Sequence, residues 1–151
     1  TAASETISSN LSRLDWLEQR KWEIKQKFYW DLLTTSRRLT RALGLAGLYL
    51  KQYDEEADTT KKTMCHERFM KESDRAAVLR MELQDLSAVS GVIVAESIKS
   101  AIQDYVLSGT ESKGEERYSY WSTQAENCMT LFVRCQRAAQ EDLQISLHPN
   151  Q

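Results

Sequence analysis

The chain has 151 residues, of which 41% are hydrophobic and 28% charged, with a formal charge of −2; this is the profile of one soluble domain, residues 1–151, able to bury its own core. No apolar run approaches the ~18 residues of a membrane-spanning helix, and no basic-then-apolar leader opens the chain. A pI of about 5.8 argues against nucleic acid as a partner.

One proline, Pro149, lies at the far end, so nothing before it must break a helix. Helix 1 is expected over about 4–53. Its apolar stripe reads Leu14, Leu17, Ile24, Phe28, Leu32, Leu39, Leu43, Ala46, Leu50 and Tyr53, at steps of mostly three, four or seven. Gly44 and Gly47 fall inside that stripe without shifting its phase, which marks a close-packing spot or a mild kink. The acidic run from Asp54 to Asp58 is the first turn, placed to favour the positive start of the next helix.

Helix 2 is expected over about 60–86, with Cys65, Phe69, Ala76, Leu79, Leu83 and Leu86 inward, and Ser87 to Gly91 as its end. Helix 3, about 92–107, is short and turns Val94, Ile98, Ala101, Ile102 and Tyr105 inward. Helix 4, about 115–146, opens on a Ser112–Glu115 capping box. It carries Trp121, Ala125, Cys128, Phe132, Cys135, Ala139 and Leu143 on one face. Four amphipathic helices with short connections predict an all-α, antiparallel up-down four-helix bundle with a long first helix and a short third helix.

Unequal lengths have a consequence. At ~1.5 Å per residue, helix 2 folding back from Tyr53 ends about level with Lys25 or Gln26. The first twenty-odd residues of helix 1 then project beyond the turn between helices 2 and 3. Only the tail of helix 4, with Leu143, Ile145 and Leu147, can reach them. Leu11, Leu14, Trp16, Leu17 and Trp22 lie on this segment, and each large side chain left wet forgoes about 1.5–3 kcal/mol. They are the interface candidates.

Charge is unevenly spread. Residues 1–53 carry nine Lys/Arg against five Asp/Glu, a net of +4, and the remainder eleven against seventeen, a net of −6. Arg37, Arg38 and Arg41 form a candidate anion patch, although a solvated face bridging to acids on neighbouring helices accounts for them more simply. Cys65, Cys128 and Cys135 are an odd count in no metal-ligand spacing; they read as small reduced hydrophobes of a cytoplasmic protein. His66 lacks the Glu-x-x-His arrangement of a carboxylate-bridged metal site, and Gly44-Leu-Ala-Gly47 lacks the strand and lysine of a phosphate loop. No metal, cofactor or catalytic residue is expected. Trp30, Trp121 and Cys128 are candidate lining for an apolar pocket between helices 1 and 4.

The run Leu14-Asp-Trp-Leu-Glu-Gln-Arg-Lys-Trp-Glu23, leading to Phe28-Tyr-Trp-Asp-Leu-Leu33, and the ending from Leu131-Phe-Val-Arg134 to Glu141-Asp-Leu143 carry a resemblance. Together they resemble small bacterial proteins of unknown function in which a basic, Trp/Glu/Arg-rich helix follows a membrane anchor and leads into a cytoplasmic helical bundle. That resemblance implies no activity. The chain opens on Thr1 rather than methionine, which points to a trimmed or processed piece, and membrane proximity would follow from that. The expected function is a non-catalytic helical interaction module, forming a homodimer or docking a helical protein partner through the start of helix 1. The alternatives are a small-molecule sensor with its ligand between helices 1 and 4, and an enzyme with an unrecognised site.

Overall fold

The computed structural model describes residues 2–94, 96–108 and 117–144. Among them are four helices and no strand: α1 (Ala2–Glu55), α2 (Thr59–Ile93), α3 (Glu96–Ser108) and α4 (Arg117–Leu143). Each helix runs antiparallel to the next. Tyr53 near the end of α1 meets His66 near the start of α2, while Leu86 of α2 sits beside Asp31 and Thr34. Gly91 of α2 faces Lys99 of α3. On α4, Trp121 packs on Gly47 and Asp142 reaches Lys25. α1 and α3 each pack against both α2 and α4, the ring of neighbours that an up-down bundle requires.

α1 turns a broad face inward because two helices cover it. Phe28, Leu32, Leu39, Leu43, Ala46 and Leu50 form its buried stripe, in phase with the 3.6-residue repeat. Gly47 is the close-packing position: a Cβ there would stand 3.0 Å from the Trp121 Cβ. Gly44 is exposed and has open space around it. The α1–α2 turn closes on Asp58, whose carboxylate accepts from the Lys61 amide at 3.0 Å; this cap satisfies one of the first free donors of α2.

Two expected boundaries shift. α2 does not end at Ser87 to Gly91 but continues to Ile93. The Ser90 hydroxyl donates to the Ser87 carbonyl at 2.7 Å, so this buried serine is satisfied by the helix itself and need not break it. Val94 then turns extended and its amide closes on the Ser90 carbonyl, leaving α3 to start at Glu96. On α4 the core positions are Gln124, Cys128, Leu131, Cys135, Ala139 and Leu143. Cys128, Cys135, Ala139 and Leu143 lie inside as expected, while Phe132, also expected inside, is half-buried and Leu131 beside it is buried instead. The capping pair Ser112–Glu115, the glycines 109 and 114, and Ile145, Leu147 and Pro149 lie outside the described residues.

Candidate interaction surface

Every described residue from Ala2 to Ile24 is exposed, and the first buried side chain of α1 is Phe28. The other helices reach back only to this level. Asp142, in the last turn of α4, accepts from Lys25 Nζ at 3.0 Å and from the Tyr29 hydroxyl at 2.9 Å. Gln144 follows with a left-handed φ of 54° and takes the chain out of the helix. Burial, then the hydrogen bond to Asp142, raises the Tyr29 pKa well above the ordinary phenol value, which keeps it a donor in this clasp. Among the described residues, the clasp marks where the bundle stops and the uncovered rod of α1 begins.

At 100° per residue, Ile7, Leu11, Leu14, Leu17 and Ile24 fall on the same side of α1 as Phe28, Leu32 and Leu43, with Trp22 at its border. The core stripe thus leaves the bundle without a change of phase. All six side chains are exposed, Leu14 by 57%. Trp16, 64% exposed, lies on the opposite side. The structure therefore places four of the five expected interface residues, Leu11, Leu14, Leu17 and Trp22, on or beside one stripe and separates Trp16 from it. Ile7 is a member that length arithmetic alone passed over, although its seven-residue step to Leu14 marks it.

Charges on the rod are largely paired within it. Glu18 meets Lys21 at 3.6 Å, Glu23 meets Arg20 at 3.5 Å, and Gln19 donates to Glu23 at 3.3 Å. Exposed pairs of this kind support the helix by a few tenths of a kcal/mol each. These pairs take up four of the seven charges of residues 2–24, and the apolar stripe has no cover among the described residues.

Trp30, Trp121 and Cys128 do not share a pocket. Trp30 is 71% exposed and, with Tyr29, Leu33, Ala139 and Leu143, lines a groove of about 250 Å3 between α1 and α4. Trp30 follows Tyr29 by one residue, so the turn that buries the tyrosine points the tryptophan outward. Trp121 sits at the other end of the bundle, edge-on to Phe69 and Tyr120. Cys128 is fully buried and donates to the Ser36 carbonyl at 3.3 Å.

Arg37, Arg38 and Arg41 are exposed. Arg38 lines a groove with Asp31, Glu82 and Asp85, the acidic neighbours expected of a solvated face; none of the three arginines forms an ion pair among the described residues. Sequence reasoning missed a polar layer inside the bundle. Arg80 donates to Gln124 at 3.3 Å and stands beside Tyr105, whose hydroxyl has no hydrogen-bond partner among the described residues. Burial raises the pKa of Cys128 and pushes that of Cys135 up to about 12, the opposite of what activates a thiol nucleophile. Among the described residues no three His, Cys, Asp or Glu side chains gather in a way that could hold a metal ion. None of the described helices is long and apolar enough to cross a membrane.

No family model, no curated protein and no solved structure matches this chain.

Proposed function

We propose that the protein is a non-catalytic helical interaction module whose recognition element is the projecting first part of α1. One observation carries this reading: the stripe that α2 and α4 cover from Phe28 onward continues bare through Ile24, Leu17, Leu14, Leu11 and Ile7. Most helical stability in proteins comes from packing of an amphipathic face, so a rod with such a face and no cover among the described residues is half of an interface. The raised pKa values of Cys128 and Cys135 support a module without thiol chemistry.

Amide exchange on the full chain tests this. The reading predicts protection of residues 2–24 that depends on a partner and is lost in Leu14→Glu/Leu17→Glu, while residues 28–55 stay protected in both proteins. Protection of the rod that survives the double substitution and any dilution would show it to be part of the chain's own core, and would defeat the reading.

A second reading, an apolar small molecule in the α1–α4 groove, is favoured by the apolar lining of Tyr29, Trp30, Leu33, Ala139 and Leu143. Its volume of about 250 Å3 falls below the roughly 300–1,000 Å3 of ligand pockets, so it ranks second. Failure of apolar probes to change the fluorescence of Trp30 would remove it.

A further inference from the structure

We propose that the partner of the α1 rod is the rod of a second copy of this chain, laid antiparallel against it across a two-fold axis. This rests on the reading of the rod as a recognition element and goes beyond it by fixing the occupant and its direction.

Side-chain size along the stripe favours reversal. On the stripe side of the rod residues 2–12 present Ala3, Thr6, Ile7 and Asn10, whereas residues 13–24 present the longer Leu14, Leu17, Lys21 and Ile24. The rod has a thin half and a thick half. Aligned in parallel, thick meets thick and thin meets thin, so the two axes cannot keep one spacing. Reversed, each thick half faces a thin one along the whole length, which is how facing layers interdigitate. A two-fold axis then satisfies both rods with a single patch.

Sterics favour the same direction. The bare stripe is the continuation of the stripe that α2 and α4 cover, so a parallel copy seated on it would carry its own bundle into the volume those helices fill. An antiparallel copy points its bundle the other way. The bundle's lower edge, marked by the Lys25–Asp142 pair, leaves residues 2–24 free, ~35 Å of helix. Two such rods overlap over residues 2–22 when residue 2 lies level with the partner's residue 22, which keeps each rod's end two residues clear of the partner's bundle. This register, centred on Ser12, sets Ile7 against the partner's Leu17, Asn10 against the partner's Leu14 and Ala3 against the partner's Lys21.

Charge favours a second copy too. Residues 2–24 carry Arg13, Arg20 and Lys21 against Glu5, Asp15, Glu18 and Glu23. That net of −1 gives an anionic membrane nothing to attract, and the charges of the thick half face the nearly uncharged thin half of the partner.

The test uses the full chain. Sedimentation at tens of micromolar should give about twice the 17.4 kDa chain mass, and Leu14→Glu/Leu17→Glu should halve it. Direction is read by disulfide capture in a Cys65→Ser background, since Cys128 and Cys135 are buried. An oxidised mixture of Ile7→Cys and Leu17→Cys chains should yield the mixed dimer. Leu17→Cys alone should not bridge to itself, because its two copies stand ~15 Å apart along the axis. A dimer in which Leu17→Cys bridges itself as fast as the mixture overturns the antiparallel arrangement. A monomeric wild type, with or without binding to anionic vesicles, overturns the second copy. If that monomer's double variant melts at the wild-type temperature, the recognition element itself survives; if the bundle is lost, both ideas fall.

Discussion

Gly47 and Trp121 meet where α1 packs tightly on α4: a Cβ on the glycine would stand 3.0 Å from the tryptophan Cβ and 3.7 Å from the Tyr118 carbonyl oxygen. The obstacle is the root of a side chain and its helix backbone, which cannot rotate away. Gly47→Ala should therefore cost about 1–2 kcal/mol through overpacking. Gly44→Ala, with open space around it, should instead stabilise by up to about 1 kcal/mol, the difference in helix propensity. Urea midpoints of the two variants should move in opposite directions.

Asp142→Ala should destabilise by about 1–3 kcal/mol, because it leaves the buried Tyr29 hydroxyl without its acceptor. Tyr29→Phe removes donor and demand together and should cost less. In the double variant the two losses should be less than additive, which thermal melts of the single and double variants will measure.

Leu131→Ala should cost about 2–5 kcal/mol as a large-to-small change in the core. Phe132→Ala, at a half-buried position, should cost about 1–2 kcal/mol. Chemical denaturation of both variants reads the phase of α4 directly; a larger loss at Phe132 would return the inner face to that residue.

Stability should fall on the alkaline side. Cys135 rises from an ordinary 9.0 to about 12 through burial, and Cys128, Tyr29 and Tyr105 are raised as well. Below the ordinary value both folded and unfolded states keep the Cys135 proton. Above it the unfolded chain releases a proton that the folded chain retains, so unfolding is favoured by up to about 1.4 kcal/mol per pH unit for this group. The loss is complete only as pH passes the folded value. Urea midpoints at about pH 8 and about pH 10.5 should differ, and Cys135→Ala should reduce the difference.

Helix number, order and direction were legible in the chain, because the stripe from Phe28 to Leu50 keeps its period and the acidic run from Asp54 to Asp58 marks the first turn. The projecting rod was legible too, from length alone. What periodicity could not decide was the choice between adjacent apolar residues. Tyr29 and Trp30, or Leu131 and Phe132, differ by 100° at the border of a face, and only the position of neighbouring helices assigns one inward. Ser87, Ser90 and Gly91 look like a helix end by composition, yet Ser90 closes on its own helix and the segment stays regular. The Arg80–Gln124–Tyr105 layer carries no periodic signal, since polar residues count as outward in any hydrophobic pattern.

α3 spans 13 residues, against 54 for α1, and its last turn, at Ser108, comes level with Asn127 of α4. The remaining three helices already hold one another through α1. Among the described helices α3 is thus the one whose departure would leave the α1–α2 and α1–α4 packing in place, a sub-global opening expected at lower free energy than full unfolding. Water would reach the Tyr105 hydroxyl and the Cys128 thiol by that route, so the pace of labelling at these buried groups is set by the coming and going of α3 rather than by the lifetime of the whole fold.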